Sequence, residues 1–462
     1  MYTGALADFC SNLKLSDVPA KVVATARWCV ADTLATICGG AMTGEGEQFT
    51  RTIRSWGDPA EATVIGSGFK SSVRSAALAN GTLCEIIEYQ DGYSKGAVHP
   101  SSGVIPAALA MTEACGATGA QFLEAVIAGY EVTNRVSASI HPGHLVRGFQ
   151  PTGAAGAVGA AAAAAKLRGF GPSRMKNALG AAGFMASVST GDNLWGRYTL
   201  KAIHGGLAAR CGVESALFAG NDFTACPLEG DPQLGRGFCQ VTSDTVNLDR
   251  ITRGLGVDYT ISEVYFKPHP SCRQTHSSID TALRLATENN IDPGEIESVT
   301  IFAGSFPARV PGKVKTTPRS TLVDCQFSIP YCVAVALCDR VMTAEQFSAS
   351  RRADPKVHAL AAKITVTGDE ELEKRGGPTT REVKVEVRMR DGQVFKAGTT
   401  SPLGDPDNPM TAGQLEAKFM KLMSAGIGEK DSAALLDSIM SIENARMGDI
   451  IAKISTMGGT RR

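Results

Sequence analysis

The hydrophobic pattern changes its period once along the chain, and this change constrains the fold more than any other feature. Up to about residue 260, apolar residues recur at helical spacing, as in the stripes that begin at Val23 and Phe122. Strand-like alternation is almost absent there. After about residue 262 the side chains alternate, most clearly over Val383–Met389, and the dipeptide Asp391-Gly392 then supplies a typical hairpin turn. The pattern predicts a large helical region and a region that contains strands.

Helical spacing returns towards the C-terminus, where Thr411 and Gln414 form a predicted capping box. Between the predicted strands, residues 327–337 are apolar enough to form a buried helix. The simplest architecture is mainly α with a second α+β domain, and 462 residues are enough for both. We predict a large all-helical domain from both chain ends, 1–266 and 401–462, and an inserted, smaller α+β lid domain, 267–400.

The run TGAAGAVGAAAAAAK at 152–166 is rich in alanine and glycine and invites comparison with a dinucleotide-binding loop. The comparison fails, because the glycines do not follow the pattern GxGxxG and no apolar strand precedes them. An acidic residue at the expected distance is also missing. The run is instead typical of a central helix whose small side chains let neighbouring helices approach closely.

The charge balance argues against a nucleic acid or an anionic membrane as partner. Lys+Arg and Asp+Glu each number 46, so the formal net charge is zero. The N-terminal residues show no basic segment followed by an apolar core. The best candidate for a membrane span, near residues 22–42, is interrupted by Arg27 and Asp32, which disfavours a span. We therefore expect a soluble, cytoplasmic protein without nucleic-acid or membrane partners.

The sequence lacks the usual patterns for metals and clusters. Its twelve cysteines are scattered without a CxxC pair, which favours reduced, buried thiols over disulfides, a zinc ribbon or an iron–sulfur cluster. No HxxxH or HxxE pattern is present, and the carboxylates near His99 lack a second nearby histidine. We predict no metal site.

Four polar segments combine histidine or glutamine with charged residues. His99 follows Asp91 by eight residues in a loop, and His204 follows Lys201 by three, which places both on one helix face. Two further segments are KPHPSCRQTH and the stretch just before the alanine-rich run. The candidate residues are Asp91, Ser94, His99, Arg147, Gln150, Lys201, His204, Lys267, Arg273 and His276.

Each segment also has a purely structural interpretation. An Asp–His pair in a loop is often a simple hydrogen bond, and a Lys–His pair can belong to a solvated helix face. The KPHPSCRQTH residues and the stretch just before the alanine-rich run can be ordinary loops. Together, however, these residue types suit the dehydration of a hydroxy polycarboxylate. That reaction needs a base for a C–H beside a carboxylate, an acid for the leaving hydroxyl, and cations that hold the carboxylates.

Taken in order, these segments resemble the MmgE/PrpD family over nearly the whole chain. The resemblance rests on HPSSG after the acidic segment, PTGAAGAVGAAAAAAKLRG, KAIHGGLAAR, KPHPSCRQTH, QFSIPY and SPLGDPDNPMT. It implies a helical domain with an α+β lid, usually a homodimer, and no metal or organic cofactor. Family activities include 2-methylcitrate dehydration, cis-aconitate decarboxylation and iminodisuccinate epimerisation, all beside carboxylates.

By motif match, the resemblance assigns the residues of the active site, and at one position this sequence departs from its relatives. Asp91 or His99 is the expected base, with the other as its orienter or the acid. Gln150 stands where decarboxylating and epimerising relatives commonly have histidine, and glutamine cannot exchange a proton near neutral pH. The expected catalytic residues are Asp91, His99, Lys201, Lys267 and His276; the two lysines clamp carboxylates and His276 is a second acid/base candidate. The expected substrate-binding residues are Ser94, Gln150, His204, Arg147 and Arg273.

The resulting hypothesis is a cofactor-independent lyase that dehydrates a 2-methylcitrate-like hydroxy acid. Decarboxylation of cis-aconitate and epimerisation of iminodisuccinate are the alternatives within the family. A non-catalytic protein that binds polycarboxylates is the alternative from another class.

Overall fold

The structure is a computed structural model that describes residues 1–377 and 379–457, and it confirms the predicted fold class. Most of the chain is α-helical, and a smaller region combines helices with a mixed sheet. The helices are α1 (Tyr2–Asn12), α2 (Ala20–Ala41), α3 (Gly44–Ser55), α4 (Val73–Ile86), α5 (Pro100–Cys115), α6 (Gly119–Ile140), α7 (Gly143–Val146), α8 (Pro151–Leu167), α9 (Pro172–Met185), α10 (Gly191–Trp195), α11 (Ile203–Gly220), α12 (Phe238–Thr242), α13 (Asp249–Thr252), α14 (His276–Glu288), α15 (Ser305–Arg309), α16 (Leu322–Gln326), α17 (Ile329–Asp339), α18 (Ala349–Arg352), α19 (Pro355–Ala361), α20 (Glu370–Gly376), α21 (Ala412–Ile427), α22 (Glu429–Met440) and α23 (Met447–Ser455). The strands are β1 (Ala62–Val64), β2 (Phe69–Ser71), β3 (Ile296–Ala303), β4 (Ile364–Gly368), β5 (Val383–Met389) and β6 (Val394–Thr399).

The chain divides into two compact units. The first comprises Met1–Leu194, Leu200–Phe266 and the residues from Thr411 onward; the second comprises Trp195–Thr199 and Lys267–Met410. Residues 401–410 thus lie in the second unit, whereas the sequence-based division places them in the helical domain. Their contacts explain the difference, because the Leu403 backbone N–H donates to Asp280 and Asp405 pairs with Arg273, both within the second unit.

The alanine-rich run forms α8, the buried helix that the composition predicts. Every residue from Pro151 to Ala165 is buried. Glycine is required where neighbours cross it: a Cβ on Gly159 would overlap α6 at Thr133, and one on Gly212 of α11 would overlap Ala160. Close packing against α6 and α11 therefore fixes the middle of α8.

Three long helices of the first unit begin near one another. The His99 backbone N–H donates to Thr152 Oγ1 over 3.0 Å, which joins the starts of α5 and α8. A Cβ on Gly205 would lie 2.7 Å from the Cβ of Ser102, so α11 also begins against α5. These helices have 16 to 18 residues, and their N-terminal partial charges favour anions.

The second unit is built on a four-stranded sheet with the order β4-β3-β5-β6. Strands β3 and β4 are parallel, whereas β5 is antiparallel to both β3 and β6. The predicted β-hairpin is confirmed, and its alternating residues Val383, Val385, Val387 and Met389 are buried in the core of the unit. The predicted apolar helix is α17, which belongs to the same core.

Two features of the first unit bear on the sequence-based predictions: a short hairpin, which was not predicted, and the apolar helix α2. A short antiparallel hairpin, β1 with β2, interrupts the region in which strands seem almost absent. Each of its strands has three residues, too few for the alternation to be read from sequence. Helix α2 is long and apolar enough to cross a membrane, but 78% of its most apolar window is buried inside the protein, as in a core helix.

Candidate active site

Glu85, in the last turn of α4, is the centre of a buried polar cluster in the first unit. Its Oε2 atom accepts hydrogen bonds from Lys201 Nζ over 3.0 Å and from Gln90 Nε2 over 2.7 Å. The same oxygen lies 2.8 Å from His204 Nε2. Glu88 pairs with Lys201 as well. All five side chains are at least 95% buried.

The charges of this cluster compensate one another. Burial opposes ionisation of Glu85, but its interactions with His204 and Lys201 outweigh burial and hold the pKa of Glu85 well below its usual range. Burial likewise opposes the charge of Lys201, yet Glu88 and Glu85 raise the pKa of that ammonium. Lys201 is therefore a cation already balanced by two carboxylates.

The sequence predicts that Lys201 and His204 lie on one helix, whereas the structure places them on two consecutive elements. Lys201 lies on a 3-10 turn, Thr199–Ala202, that leads directly into α11, where His204 occupies the first turn. Both side chains reach Glu85 and both are buried, so they do not form a solvated helix face. The role of Lys201 in binding a substrate carboxylate stays a prediction.

Asp91 and His99 come together beside this cluster. The Asp91 carboxylate is fully buried; its Oδ2 accepts from the Tyr130 hydroxyl over 2.7 Å and its Oδ1 from the Ser101 N–H over 3.3 Å. His99 precedes α5, is partly exposed, and has its Nδ1 2.6 Å from the Asp91 backbone carbonyl oxygen. Because a carbonyl can only accept, Nδ1 carries the proton, and a neutral imidazole then keeps its lone pair on Nε2.

The Asp91 carboxyl titrates close to the physiological range. Burial raises the pKa of Asp91 to about 6, although its hydrogen bonds with Ser101 and Tyr130 favour the ionised form. A nearby negative charge, Asp32, raises the pKa of Asp91 further. Such a shift is common at functional sites, where acid and base strengths are adjusted by burial and neighbours.

Gln150 has a structural contact that the sequence does not reveal. It is the N-cap of α8, and its Oε1 accepts a hydrogen bond from the Gly153 N–H over 3.1 Å. The side chain is 4% exposed. Since Thr152 on the same turn binds the His99 backbone, Gln150 lies at the start of the helix that supports His99.

Two further predicted residues lie at the surface. Arg147 is exposed and pairs with Asp244, itself exposed, over 2.8 Å. Ser94 is exposed at the start of a 3-10 turn, Ser94–Gly96. Their predicted contacts with substrate stay predictions.

Three predicted residues, Lys267, Arg273 and His276, belong to the second unit. His276 is fully buried; its Nδ1 accepts from Arg273 Nη1 over 3.0 Å, and its Nε2 donates to the Ser271 carbonyl over 3.2 Å. Burial, followed by the positive charge of Arg273, holds the pKa of His276 well below its usual range. Arg273 also pairs with Asp405 over 2.8 Å, and the Lys267 side chain is fully buried.

These contacts weigh against the predicted acid/base role of His276. A neutral imidazole has one donor and one acceptor, and both are engaged within the second unit. The role stays a prediction. Within residues 1–377 and 379–457, the His, Cys, Asp and Glu side chains form no group of three that could hold a metal ion.

Four residues of the site were not predicted from the sequence: Glu85, Glu88, Gln90 and Tyr130. The first three share the segment CEIIEYQD with Asp91, so their closeness in sequence was a usable signal. Tyr130 lies 39 residues from Asp91 on an ordinary helical stripe, and only the packing of α6 brings it there.

Comparisons with known proteins agree with the resemblance over both units. The MmgE/PrpD N-terminal domain matches residues 4–250, and the MmgE/PrpD C-terminal domain matches residues 269–444. A cis-aconitate decarboxylase of Aspergillus terreus is 25% identical over 97% of this chain and 94% of its own length. The cis-aconitate decarboxylase-like protein oryM of Aspergillus oryzae is also 25% identical, over 98% of this chain and 97% of its own length. The N-terminal match alone spans more than half of the chain, which therefore belongs to the MmgE/PrpD family.

Proposed function

We propose that the protein is a lyase that acts on a small polycarboxylic acid, and that it dehydrates a 2-methylcitrate-like hydroxy acid without a cofactor. Family membership and the two fungal relatives support the broader statement, a lyase for polycarboxylic acids. The preference for dehydration rests on the residues of the first unit.

The arrangement of His99 carries the proposal. Its Nδ1–H is held by the Asp91 carbonyl, so a neutral His99 carries its lone pair, and therefore its basic site, on Nε2. His99 Nε2 removes the proton from the carbon beside a carboxylate, and the electron pair forms the new double bond as hydroxide leaves. The imidazolium then gives that proton to the hydroxide, so that one water is released and His99 is neutral again.

The surroundings of His99 suit the charges of this reaction. The N-termini of α5, α8 and α11 lie close by and favour the carboxylates of the substrate. The Asp91 carboxylate, held near the start of α5 by the Ser101 N–H, stabilises an imidazolium at His99 while it is ionised. In this proposal Asp91 is the orienting partner, because both its oxygens are buried and hydrogen-bonded.

Decarboxylation of cis-aconitate is the second candidate, and the names of the two relatives favour it. Gln150 argues against it. Glutamine cannot transfer a proton to the carbon that loses CO₂, and its side-chain oxygen already caps α8. Gln150 can still position a substrate through its amide N–H groups.

A panel of substrates separates these functions. The purified protein is given 2-methylcitrate, citrate, cis-aconitate and iminodisuccinate, and the products are identified while CO₂ is measured. Dehydration of 2-methylcitrate without CO₂ supports the proposal, and CO₂ release from cis-aconitate supports the second candidate. Binding of these acids without turnover of any would overturn both and indicate a non-catalytic binder.

We also propose that the protein is a homodimer, as the family resemblance implies. Large apolar side chains are exposed on the first unit, including Phe184, Phe218, Phe223 and Leu234, and such surface favours association. Light scattering should give twice the mass of the 48.3 kDa chain. A monomer at micromolar concentration would reject this proposal.

A further inference from the structure

A buried ion pair joins the two ends of the first unit behind the Asp91 segment. Asp32 lies on α2 and Lys418 on α21; Lys418 Nζ is 2.6 Å from Asp32 Oδ1, and both side chains are less than 5% exposed. Removing two charges from water is unfavourable unless further polar contacts compensate. The contacts of Lys418 therefore indicate what the pair does.

Lys418 binds the backbone of the segment that leads to Asp91. Its Nζ donates to the Tyr89 carbonyl oxygen over 2.8 Å and lies 4.0 Å from the centre of the Tyr89 ring. The preceding residue, Glu88, has a φ of 53°, a left-handed conformation that glutamate rarely adopts. Such a backbone persists only where its surroundings hold it.

Each residue of the segment 88–91 is held by a different part of the first unit. Glu88 pairs with Lys201, Gln90 donates to Glu85, and Asp91 accepts from Tyr130. Lys418 supplies the anchor at Tyr89 from a position 329 residues away in sequence. The place of Asp91, and of the His99 ring that binds its carbonyl, depends on all of these anchors.

The pair also sets the charge beside Asp91. The Asp32 carboxylate raises the pKa of Asp91, and Lys418 is the cation in direct contact with Asp32. The other titratable groups that interact with Asp91 lie on three helices and at the start of α5. They are Cys29 on α2, Cys84 on α4, Tyr130 on α6, and His99.

We propose that Asp32 and Lys418 are positioning residues of the active site: Lys418 fixes the Tyr89 carbonyl, and the pair keeps the charge behind Asp91 balanced. The expected effect of the pair on turnover rests on the proposed function, in which Asp91 supports His99. The expected effect of the pair on the pKa of Asp91 does not depend on that function.

Three variants and one control separate positioning from general stability. Lys418→Met keeps the length of the side chain but leaves Asp32 uncompensated, so the pKa of Asp91 should rise by about one pH unit. Asp32→Asn leaves the ammonium and should lower the pKa of Asp91 by a similar amount. The double variant should restore it towards the wild-type value. Lys430→Met, at an exposed lysine on the neighbouring helix α22, should change nothing.

The Asp91 carboxyl is followed by carbon-13 NMR of aspartate-labelled protein, and its signal is assigned by its loss in Asp91→Asn. Shifts of opposite sign in the two single variants support the proposal; unchanged or parallel shifts overturn it. If Lys418→Met does not fold, Asp32→Asn and the double variant decide, because neither leaves a buried carboxylate unpaired.

The pH dependence of kcat/KM supplies the second measurement. Its acidic limb should move up in Lys418→Met and down in Asp32→Asn, and the double variant should lose at least threefold in kcat through the lost Tyr89 anchor. An unmoved limb in both single variants would overturn the proposal. If the wild-type protein turns over none of the acids, the proposed function fails, whereas the NMR titration still tests the pair.

Discussion

Asp91 should make the folded protein less stable as the pH rises from 4 to 7, and Asp91→Asn should remove that effect. Burial raises the pKa of Asp91 from 3.8 to about 6 in the folded state. A carboxyl with a raised folded-state pKa stabilises the fold while it is protonated, and this stability is lost as the pH rises through about 6. The rise of the pKa from 3.8 to about 6 corresponds to about 3 kcal/mol in the free energy of unfolding. About 2 kcal/mol of this stability is lost between pH 4 and pH 7.

The change in unfolding free energy between two pH values is compared for the wild type and the variant. The variant lacks the hydrogen bonds from Tyr130 and Ser101 at both pH values, so their loss cancels in this comparison. The free energy of unfolding by urea is determined at pH 4 and pH 7 for wild type and Asp91→Asn. Between these pH values the wild type should lose about 2 kcal/mol more than the variant. Asp244→Asn, on the surface, is the control and should follow the wild type. Parallel pH dependence of wild type and Asp91→Asn would refute the argument from burial.

Three further predictions follow from other contacts of the site. Glu85→Gln should destabilise the protein by about 3–5 kcal/mol, because it leaves Lys201 with one carboxylate in a buried cluster. Glu263→Gln, which breaks the exposed pair with Lys95, should cost at most about 1 kcal/mol. Equal denaturation midpoints for the two variants would contradict this prediction. Gln150→His should raise cis-aconitate decarboxylation and cost about 1 kcal/mol of stability through the lost cap on Gly153. An unchanged rate of CO₂ release would show that Gln150 does not limit decarboxylation. Turnover should survive exhaustive treatment with EDTA, and loss of activity that added metal restores would disprove the predicted cofactor independence.

Periodicity predicted the fold because it reports burial along one element. The alternation in β5 follows from which side chains face the core. Helix α8 is buried on all sides from Pro151 to Ala165, and its small side chains rather than a period predicted it. The predicted boundary at 400/401 differs from the compact unit, which extends to Met410. Polar contacts such as that between Asp405 and Arg273 hold this loop, and hydrophobic periodicity does not record them.

The candidate site was predicted as a set of residue types rather than as a set of contacts. Motif positions placed Asp91 beside His99 and Lys201 beside His204. They gave no sign that Lys201 is already paired with two glutamates or that both His276 nitrogens are engaged. Such pairings depend on side chains that distant segments bring together, and one sequence shows residue types without their partners.

The central claim, that His99 is the base of a polycarboxylate lyase, is tested most directly by comparing kcat/KM of wild type and His99→Asn with 2-methylcitrate. Asparagine can keep a donor to the Asp91 carbonyl in place of Nδ1 but has no basic nitrogen in place of Nε2. We predict turnover by the wild type and a loss of about 10²–10⁴-fold in kcat/KM in the variant, with unchanged thermal unfolding. A variant that retains wild-type kcat/KM would contradict it.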